Sequence, residues 1–433
     1  MIFCQRHWRK MEELLPEGKI LVMRKRASWV GVLLVCQIIF FSIWWTPAAS
    51  ALTEEQKLFS QAWRIVSQSY LDDSFNHQNW WELREKTLKG GLNNREATYN
   101  AIQKMLASLD DPFTRLLKPS QYRSLQVNTS GELSGVGLQI ALDAETGALE
   151  VVAPIAGSPA DKAGIQPRDR ILEINGTLTS TLTLDEAAAQ MRGGVGTTVT
   201  LKIQSKDGEA KSVDLIRDRI ALNPVYAVLD SQPDSPAVGY IRLTQFSANA
   251  KTEVESAINR LAAQGAKSYV LDLRNNPGGL LQAGIEIARL WLDEGTVVYT
   301  VNRQGNLGSF EAGGEALTKA PLVVLVNQGT ASASEILAGA LQDNGRAKLV
   351  GEKTFGKGLI QSLFDLTDGS GLAVTVAKYE TPSHHDIHKL GIVPDLQVAL
   401  EPISFDQVGT PADQQYQAAL KLLKSDAVVA DAA

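Results

Sequence analysis

Cysteine is almost missing from this sequence: there are two in 433 residues, Cys4 and Cys36, both within the first 51. Downstream of that point, disulfides, thiol catalysis and cysteine-bound metals are excluded. Histidine is nearly as scarce, with five in all. His7 belongs to the same N-terminal stretch, which leaves His77 and the cluster His384, His385 and His388 in "SHHDIHKLG". No helical H-E-x-x-H zinc pattern occurs, so the cluster reads as a polar loop before it reads as a metal site. Internal repeats and low-complexity linkers are also lacking, and so is any surplus of positive charge. Seven of the 42 basic and three of the 48 acidic residues precede residue 52, which leaves 35 against 45 and argues against non-specific nucleic-acid binding.

The one long hydrophobic run stands near the N-terminus. Met23-Arg24-Lys25-Arg26 is followed by the apolar stretch Val30 to Trp45 and then by "TPAASA". A basic region, an apolar region and an Ala-x-Ala site at Ala49 to Ala51 predict a signal peptide cleaved after Ala51, with the start at either Met1 or Met23. A retained membrane anchor is the competing reading, because the run is near bilayer-spanning length. Either way the rest of the chain is expected across a membrane, in a periplasm or a lumen.

Helical spacing over 52–126, as in Phe59, Trp63, Val66 and Tyr70, predicts a small helical domain. Residues 127–219 change to short strands and turns ("GVGLQIAL", "ALEVVAPI", "DRILEING", "TTVTLKIQ"), a compact module of mixed β structure. From 220 to 404, apolar strands alternate with amphipathic helical stretches, the pattern of a largely parallel sheet with functional loops at strand C-terminal ends. Residues 405–433 read as a C-terminal helix and a loose tail.

Two glycine-rich stretches fall short of nucleotide sites. "GEKTFGKG", Gly351 to Gly358, fits G-x-x-x-x-G-K, but Gly358 stands where Ser or Thr would meet magnesium, and "LIQSLFDL" after it alternates like a strand. "GVG" at Gly135 to Gly137 lacks the third glycine and the helix of a dinucleotide site.

"GTASASEILAGALQDNG", Gly329 to Gly345, places Ser332 and Ser334 at the mouth of a helix. Ser332 and Glu335 form an S-x-x-E capping box, worth about 1 kcal/mol. The same position lies beside free N–H groups and the positive end of a helix dipole, which favour an oxyanion. Spacing does not choose between the two serines. A nucleophilic serine needs a base, and no histidine is near in sequence. Lys357, flanked by Phe355, Gly356, Gly358, Leu359 and Ile360, is the better candidate. Burial favours its neutral amine, and lowering a pKa of about 10.4 by about three units corresponds to roughly 4 kcal/mol. Serine-lysine pairs are an accepted way to activate a serine. A triad using one of the clustered histidines is the competing reading. "DLRNNPGG" ends a strand with Pro277-Gly278-Gly279, whose N–H groups are a source of a second oxyanion donor. Asp343, eleven residues after Ser332, is expected to share a helix face with it, and Gln361, four after Lys357, to share a strand face.

Together "GYIRLTQF", "LDLRNNPGG", "GTASASEILAGALQDNGRA" and "GEKTFGKGLIQ" resemble the carboxyl-terminal processing peptidases, serine proteases with a PDZ domain and a Ser-Lys pair. The resemblance covers nearly everything after residue 52. It implies an α/β fold, with a ClpP/crotonase-like α/β catalytic core, an inserted PDZ domain of mixed β structure and an N-terminal helical domain. It implies Ser332 as nucleophile, Lys357 as base, Gln361 as its orienting partner and Asp343 as an accompanying polar residue. The oxyanion hole falls on Gly278 and Ala333, and the loop taking the substrate's C-terminal carboxylate on Gly135, Val136, Gly137 and Leu138. Neither cofactor nor metal is implied, and the partner is a protein's C-terminal tail. "TPSHHDIHKLGIVPD", Thr381 to Asp395, is similar to the cyanobacterial and chloroplast branch, which matures the D-one reaction-centre precursor of photosystem II in the thylakoid lumen. A general periplasmic tail-specific protease and a PDZ scaffold without catalysis are the alternatives.

Overall fold

The structure is a computed structural model that describes residues 52–424 apart from 144–145, 206–207, 232–235, 306, 400–402 and 405–406. The signal peptide, its cleavage site and the end of the tail lie outside the described residues. The chain opens with helices α1 (Glu54–Ser69), α2 (Trp80–Lys89) and α3 (Arg95–Ala107), strand β1 (Arg115–Leu117) and helix α4 (Pro119–Ser130). A β module follows: β2 (Glu132–Gly135), β3 (Leu138–Leu142), β4 (Leu149–Pro154), α5 (Pro159–Lys162), β5 (Arg170–Ile174), β6 (Thr177–Leu178), α6 (Leu184–Met191), β7 (Thr198–Gln204), β8 (Ala210–Ile216) and β9 (Asp218–Ala221). Then come β10 (Val225–Asp230), β11 (Val238–Leu243), α7 (Ala250–Ala263), β12 (Ser268–Asp272), α8 (Leu281–Arg289), β13 (Thr296–Asn302), β14 (Leu307–Glu311), β15 (Leu322–Val326), α9 (Ala333–Asp343), β16 (Lys348–Gly351), β17 (Leu359–Asp365), β18 (Gly371–Glu380), β19 (Leu396–Gln397) and α10 (Gln414–Leu423).

The main sheet runs β10-β11-β12-β15-β16-β19, parallel from β11 onward. Its central strands β12 and β15 are buried along their whole length, as expected of a sheet covered on both faces. Successive residues point to opposite cores. Leu322, Val324 and Val326 join α7, α8 and α9 on one side. Val323 and Leu325 meet Tyr416, Ala419 and Leu420 of α10 on the other. Helix α9 is buried from Ala333 to Leu341, so the serine at its start is held by a helix with little room to shift.

An antiparallel sheet packs beside it, ordered β1-β18-β13-β14 with β17 also paired to β18. Leu372 and Val374 of this sheet, with Leu366 from the turn between β17 and β18, share a core with Phe59, Trp80, Ile102 and Leu106 of the N-terminal helices. Strand β1 interrupts a stretch that reads as helical in sequence, because its partner, Ala373 opposite Arg115, is far along the chain. Likewise "VVYTVN" forms β13 in this sheet and not in the parallel one.

The β module is an insertion. Its neck is the ribbon β2–β9, with Glu132 opposite Ala221 and Gly135 opposite Asp218. Between these strands the sheet β3-β4-β5-β7-β8 closes on α6. In β7, Val199, Leu201 and Ile203 are buried and join Val151, Ile171 and Met191, the alternation of a half-buried strand.

Candidate active site

Three loops meet at the start of α9: residues 273–280 after β12, 327–332 after β15, and 352–358 after β16. All three leave the C-terminal edge of the parallel sheet, where an open α/β fold places its sites. The first two are laced together. Thr330 Oγ1 donates to the Leu273 carbonyl at 2.9 Å, and the Asn275 N–H donates to Asn327 Oδ1 at 2.9 Å. The fully buried Asn276 accepts on its carbonyl from the Ala331 N–H and from Ser334 Oγ, both at 3.0 Å.

That last bond separates the two serines. Ser334 is completely buried and its hydroxyl is engaged. Ser332 sits at φ 59°, ψ −118°, a strained conformation that costs on the order of 1–3 kcal/mol and persists only where the surroundings impose it. Its hydroxyl makes no cap bond. The Glu335 N–H turns to the Ser332 carbonyl at 2.8 Å, while the Ser332 N–H donates to Glu335 Oε2 at 2.9 Å. Ser332 and Glu335 thus face each other as a capping box, but the Glu335 N–H is hydrogen-bonded by the backbone carbonyl and the Ser332 hydroxyl makes no cap hydrogen bond.

Glu335 does more than cap. Completely buried, its carboxylate also accepts from Thr354 Oγ1 at 2.6 Å and from the N–H groups of Gly356 and Lys357, both at 2.8 Å. One buried carboxylate thus holds the backbones of Ser332 and Lys357 together. Below it the Tyr379 hydroxyl, with a single proton, stands between the carbonyls of Lys357 at 2.5 Å and Ser332 at 3.0 Å. Sequence reasoning reached Glu335 only as a cap and missed Tyr379.

Lys357 is close in backbone, but its amine points elsewhere. Nζ lies 5.0 Å from the centre of the Phe113 ring and has no hydrogen bond or ion pair among the described residues. Phe113 comes from the turn after α3, where Asp111 accepts from the Phe113 N–H and the Thr114 hydroxyl. Burial holds the Lys357 amine below its ordinary range; Arg115 adds to this, and Asp111 and Glu335 oppose it.

The Ala333 N–H, at the first turn of α9, meets no acceptor among the described residues. Gly278 lies against it: at φ 92°, a side-chain carbon here would come within 2.9 Å of the Ala333 nitrogen and the Ser332 Cβ. The Gly278 N–H itself donates to Asn276 Oδ1 at 2.9 Å. Underneath, the Arg274 guanidinium grips Asp272 at 2.9 and 2.6 Å and Asp413 at 2.9 and 2.7 Å. Asp413 is also the N-cap of α10, so the C-terminal helix is tied beneath the Gly278 loop.

Spacing predicts that Asp343 shares a helix face with Ser332, and Gln361 a strand face with Lys357. Asp343 ends α9, roughly 16 Å along the axis at 1.5 Å per residue, because the helix puts eleven residues in between. Its carboxylate accepts the Ser383 N–H at 2.9 Å instead and so anchors the histidine loop. That loop embraces the Lys357 loop: the Lys389 N–H donates to the Gly356 carbonyl at 2.8 Å. Gln361 does not share a strand face with Lys357, since Lys357 precedes β17 and the register shifts between Ile360 and Gln361. Its amide reaches Thr375 Oγ1 at 3.4 Å. Among the described residues no histidine bonds to Ser332. His384 stacks on Tyr299 at 4.2 Å with Nδ1 3.3 Å from Glu380 Oε2, and His388 meets Phe113 edge-on.

In the inserted module, the loop Gly135 to Leu138 joins β2 to β3. The carbonyls of Val136 and Gly137 accept from Ala160 and Ile155 at 2.9 and 2.8 Å, whereas their N–H groups meet no acceptor among the described residues. Two N–H groups without an acceptor among the described residues, beside the open side of β3, have the donor chemistry to hold a carboxylate.

Residues 237–398 match peptidase family S41, and residues 150–205 match the PDZ domain. The chain is 66% identical to the carboxyl-terminal-processing protease of Synechocystis sp., over 89% of this chain and 90% of that one. It is 48% identical to the chloroplastic carboxyl-terminal-processing peptidase 2 of Arabidopsis thaliana, over 84% of this chain and 73% of that one. Among solved structures, the photosystem II D1 C-terminal processing protease superposes with a TM-score of 0.54 at 41% identity, over 87% of this chain and 99% of that one.

Proposed function

This chain belongs to the carboxyl-terminal-processing proteases of peptidase family S41 and is a serine peptidase, and from that premise we propose that Ser332 is its nucleophile and Lys357 the general base. The observation that carries the reading is the Glu335 carboxylate, which binds the N–H groups of Ser332, Gly356 and Lys357 at once. In the reaction the neutral Lys357 amine takes the Ser332 proton as Oγ bonds to the substrate carbonyl carbon. The oxyanion so formed meets the Ala333 N–H and a second donor from the Gly278 loop, for which the Gly278 N–H has to leave Asn276. The Lys357 ammonium then protonates the departing nitrogen, the C–N bond breaks, and water, activated by the same amine, releases the acyl group from Ser332. Reaching Oγ requires the lysine side chain to swing off the Phe113 ring.

Gln361 acts at one remove. It touches Thr375, whose N–H donates to Thr114 Oγ1 at 3.0 Å, and Thr114 belongs to the turn that carries Phe113. Asp343 supports the loop that braces Gly356. The substrate is a protein's C-terminal tail, its carboxylate on the Gly135–Leu138 loop, cut after a small residue such as alanine. The relatives' names and the solved processing protease support the D-one precursor of photosystem II as that protein, and the thylakoid lumen or periplasm as the place. Cleavage of one tail peptide by Ser332→Ala, Lys357→Ala and a His384→Ala/His385→Ala pair tests the assignment. Loss in the first two with retention in the last is expected; the reverse pattern for lysine and histidine would overturn it.

A further inference from the structure

Beside the base loop lies a cavity of about 450 Å³ that the reaction above leaves unused, lined by Tyr70, Leu71, Phe113, Phe355, Leu359 and His388. Asp72 and Asp111 also border it, but their carboxylates are engaged within their own turns, by Ser74 and Asn76 and by Phe113 and Thr114. Asp110 and Lys389 contribute one charge of each sign. Apart from Thr375 and the imidazole of His388, the remaining wall is apolar and aromatic. Phe355 stands out in it: the residue is 58% exposed, yet its backbone is fixed, with its N–H on the Thr330 carbonyl at 3.0 Å. It is thus anchored two residues before the nucleophile in one loop and two before the base in the other. A large apolar side chain held rigidly in the open beside a reacting centre is suited to receiving a ligand.

The chemistry says which part of the substrate it receives. A base that takes the serine proton must return it to the departing nitrogen, so the residues just after the scissile bond lie on the lysine's side of the site. Lys357 Nζ rests on Phe113, which is itself a wall of this cavity. We propose that the cavity is a subsite for an apolar side chain among the first two residues of the removed tail, and that Phe355 sets its preference. The inference rests on Lys357 being the base.

The test is a peptide series with one invariant acyl half and alanine, leucine or phenylalanine at the first or second leaving position. For the wild type, kcat/KM at one of these positions should favour leucine over alanine by about ten-fold or more, the usual scale of an apolar pocket. In Phe355→Ala and, separately, Leu359→Ala the ratio should fall to within about three-fold. Hydrolysis of the acyl-enzyme, measured after a burst, should not vary with the leaving residue, because that residue has already gone. An unchanged ratio in both variants, or a change in preference on the acyl side instead, overturns the subsite while leaving Ser332 and Lys357 in place. Substantial activity in Lys357→Arg, measured in parallel, overturns the base and this inference with it.

Discussion

The loop that carries Ser332 and the loop that carries Lys357 meet on the same carboxylate, yet they are held to different degrees. On the serine side, Asn276, Ser334, Thr330 and Glu335 are completely buried and hydrogen-bonded, and the strain at Ser332 is imposed by them. On the lysine side the backbone is equally fixed through Glu335, Tyr379 and Lys389, but the side chain ends on an aromatic face with no hydrogen bond. On the proposed assignment, the nucleophile is set in advance and the base is set only as far as its Cα. A serine proposed to hold one geometry gains from rigid support; a lysine proposed to shuttle a proton between Oγ and the leaving nitrogen needs a side chain free to travel.

That contrast can be broken most severely at the serines. Ser332→Ala should lower kcat by about 10⁴-fold or more with little change in thermal stability, because the hydroxyl caps nothing. Ser334→Ala should do the opposite, keeping activity within a few-fold while losing about 1 kcal/mol of stability with its bond to Asn276. Activity assays and thermal melts on the pair decide it. Next comes the shared carboxylate. Glu335→Gln replaces one acceptor oxygen by an amide NH₂: in place of Oε2 it loses the bonds from the Ser332 and Lys357 N–H groups, and in place of Oε1 it loses the bond from the Gly356 N–H while the Thr354 hydroxyl turns to accept. A cost of about 2–4 kcal/mol in denaturant melts is expected, with kcat down about 100-fold from the misplaced loops. Tyr379→Phe removes only the hydroxyl beneath the two carbonyls, and kcat should fall about ten-fold with a loss of about 1–2 kcal/mol. Gln361→Ala, which acts through Thr375, should be mildest, about five-fold in kcat with KM unchanged.

Much of the serine half was readable from the chain. "GTASASE" after an apolar run predicts a strand, a loop and a capped helix, and the free N–H groups of that helix follow from its geometry. Ser332 and Ser334 were inseparable by spacing because what separates them is the carbonyl of Asn276, on another strand's loop. Lys357 was readable from its apolar neighbours, but its contact with Phe113 was not, since the helical region and the base loop are far apart in sequence. The same applies to Asp413, whose grip on Arg274 joins the C-terminal helix to the Gly278 loop. Asp343 and Gln361 were placed less completely by spacing, for a different reason. Counting residues along a helix or strand gives a face but no distance, and it fails where a register shift intervenes.

The pH dependence of kcat/KM, measured for the wild type beside Lys357→Arg, tests the central claim most directly. Burial lowers the Lys357 pKa from its ordinary 10.5, and in the proposed reaction the working form is the neutral amine. Activity is therefore expected above that pKa and lost below it, with the limb lying on the acid side of the ordinary lysine value. Arginine keeps the charge but stays protonated throughout, so Lys357→Arg should be nearly inactive at every pH while tail binding by the PDZ domain persists. A wild-type limb that is carried over unchanged into Lys357→Arg, with substantial residual activity, would contradict the account.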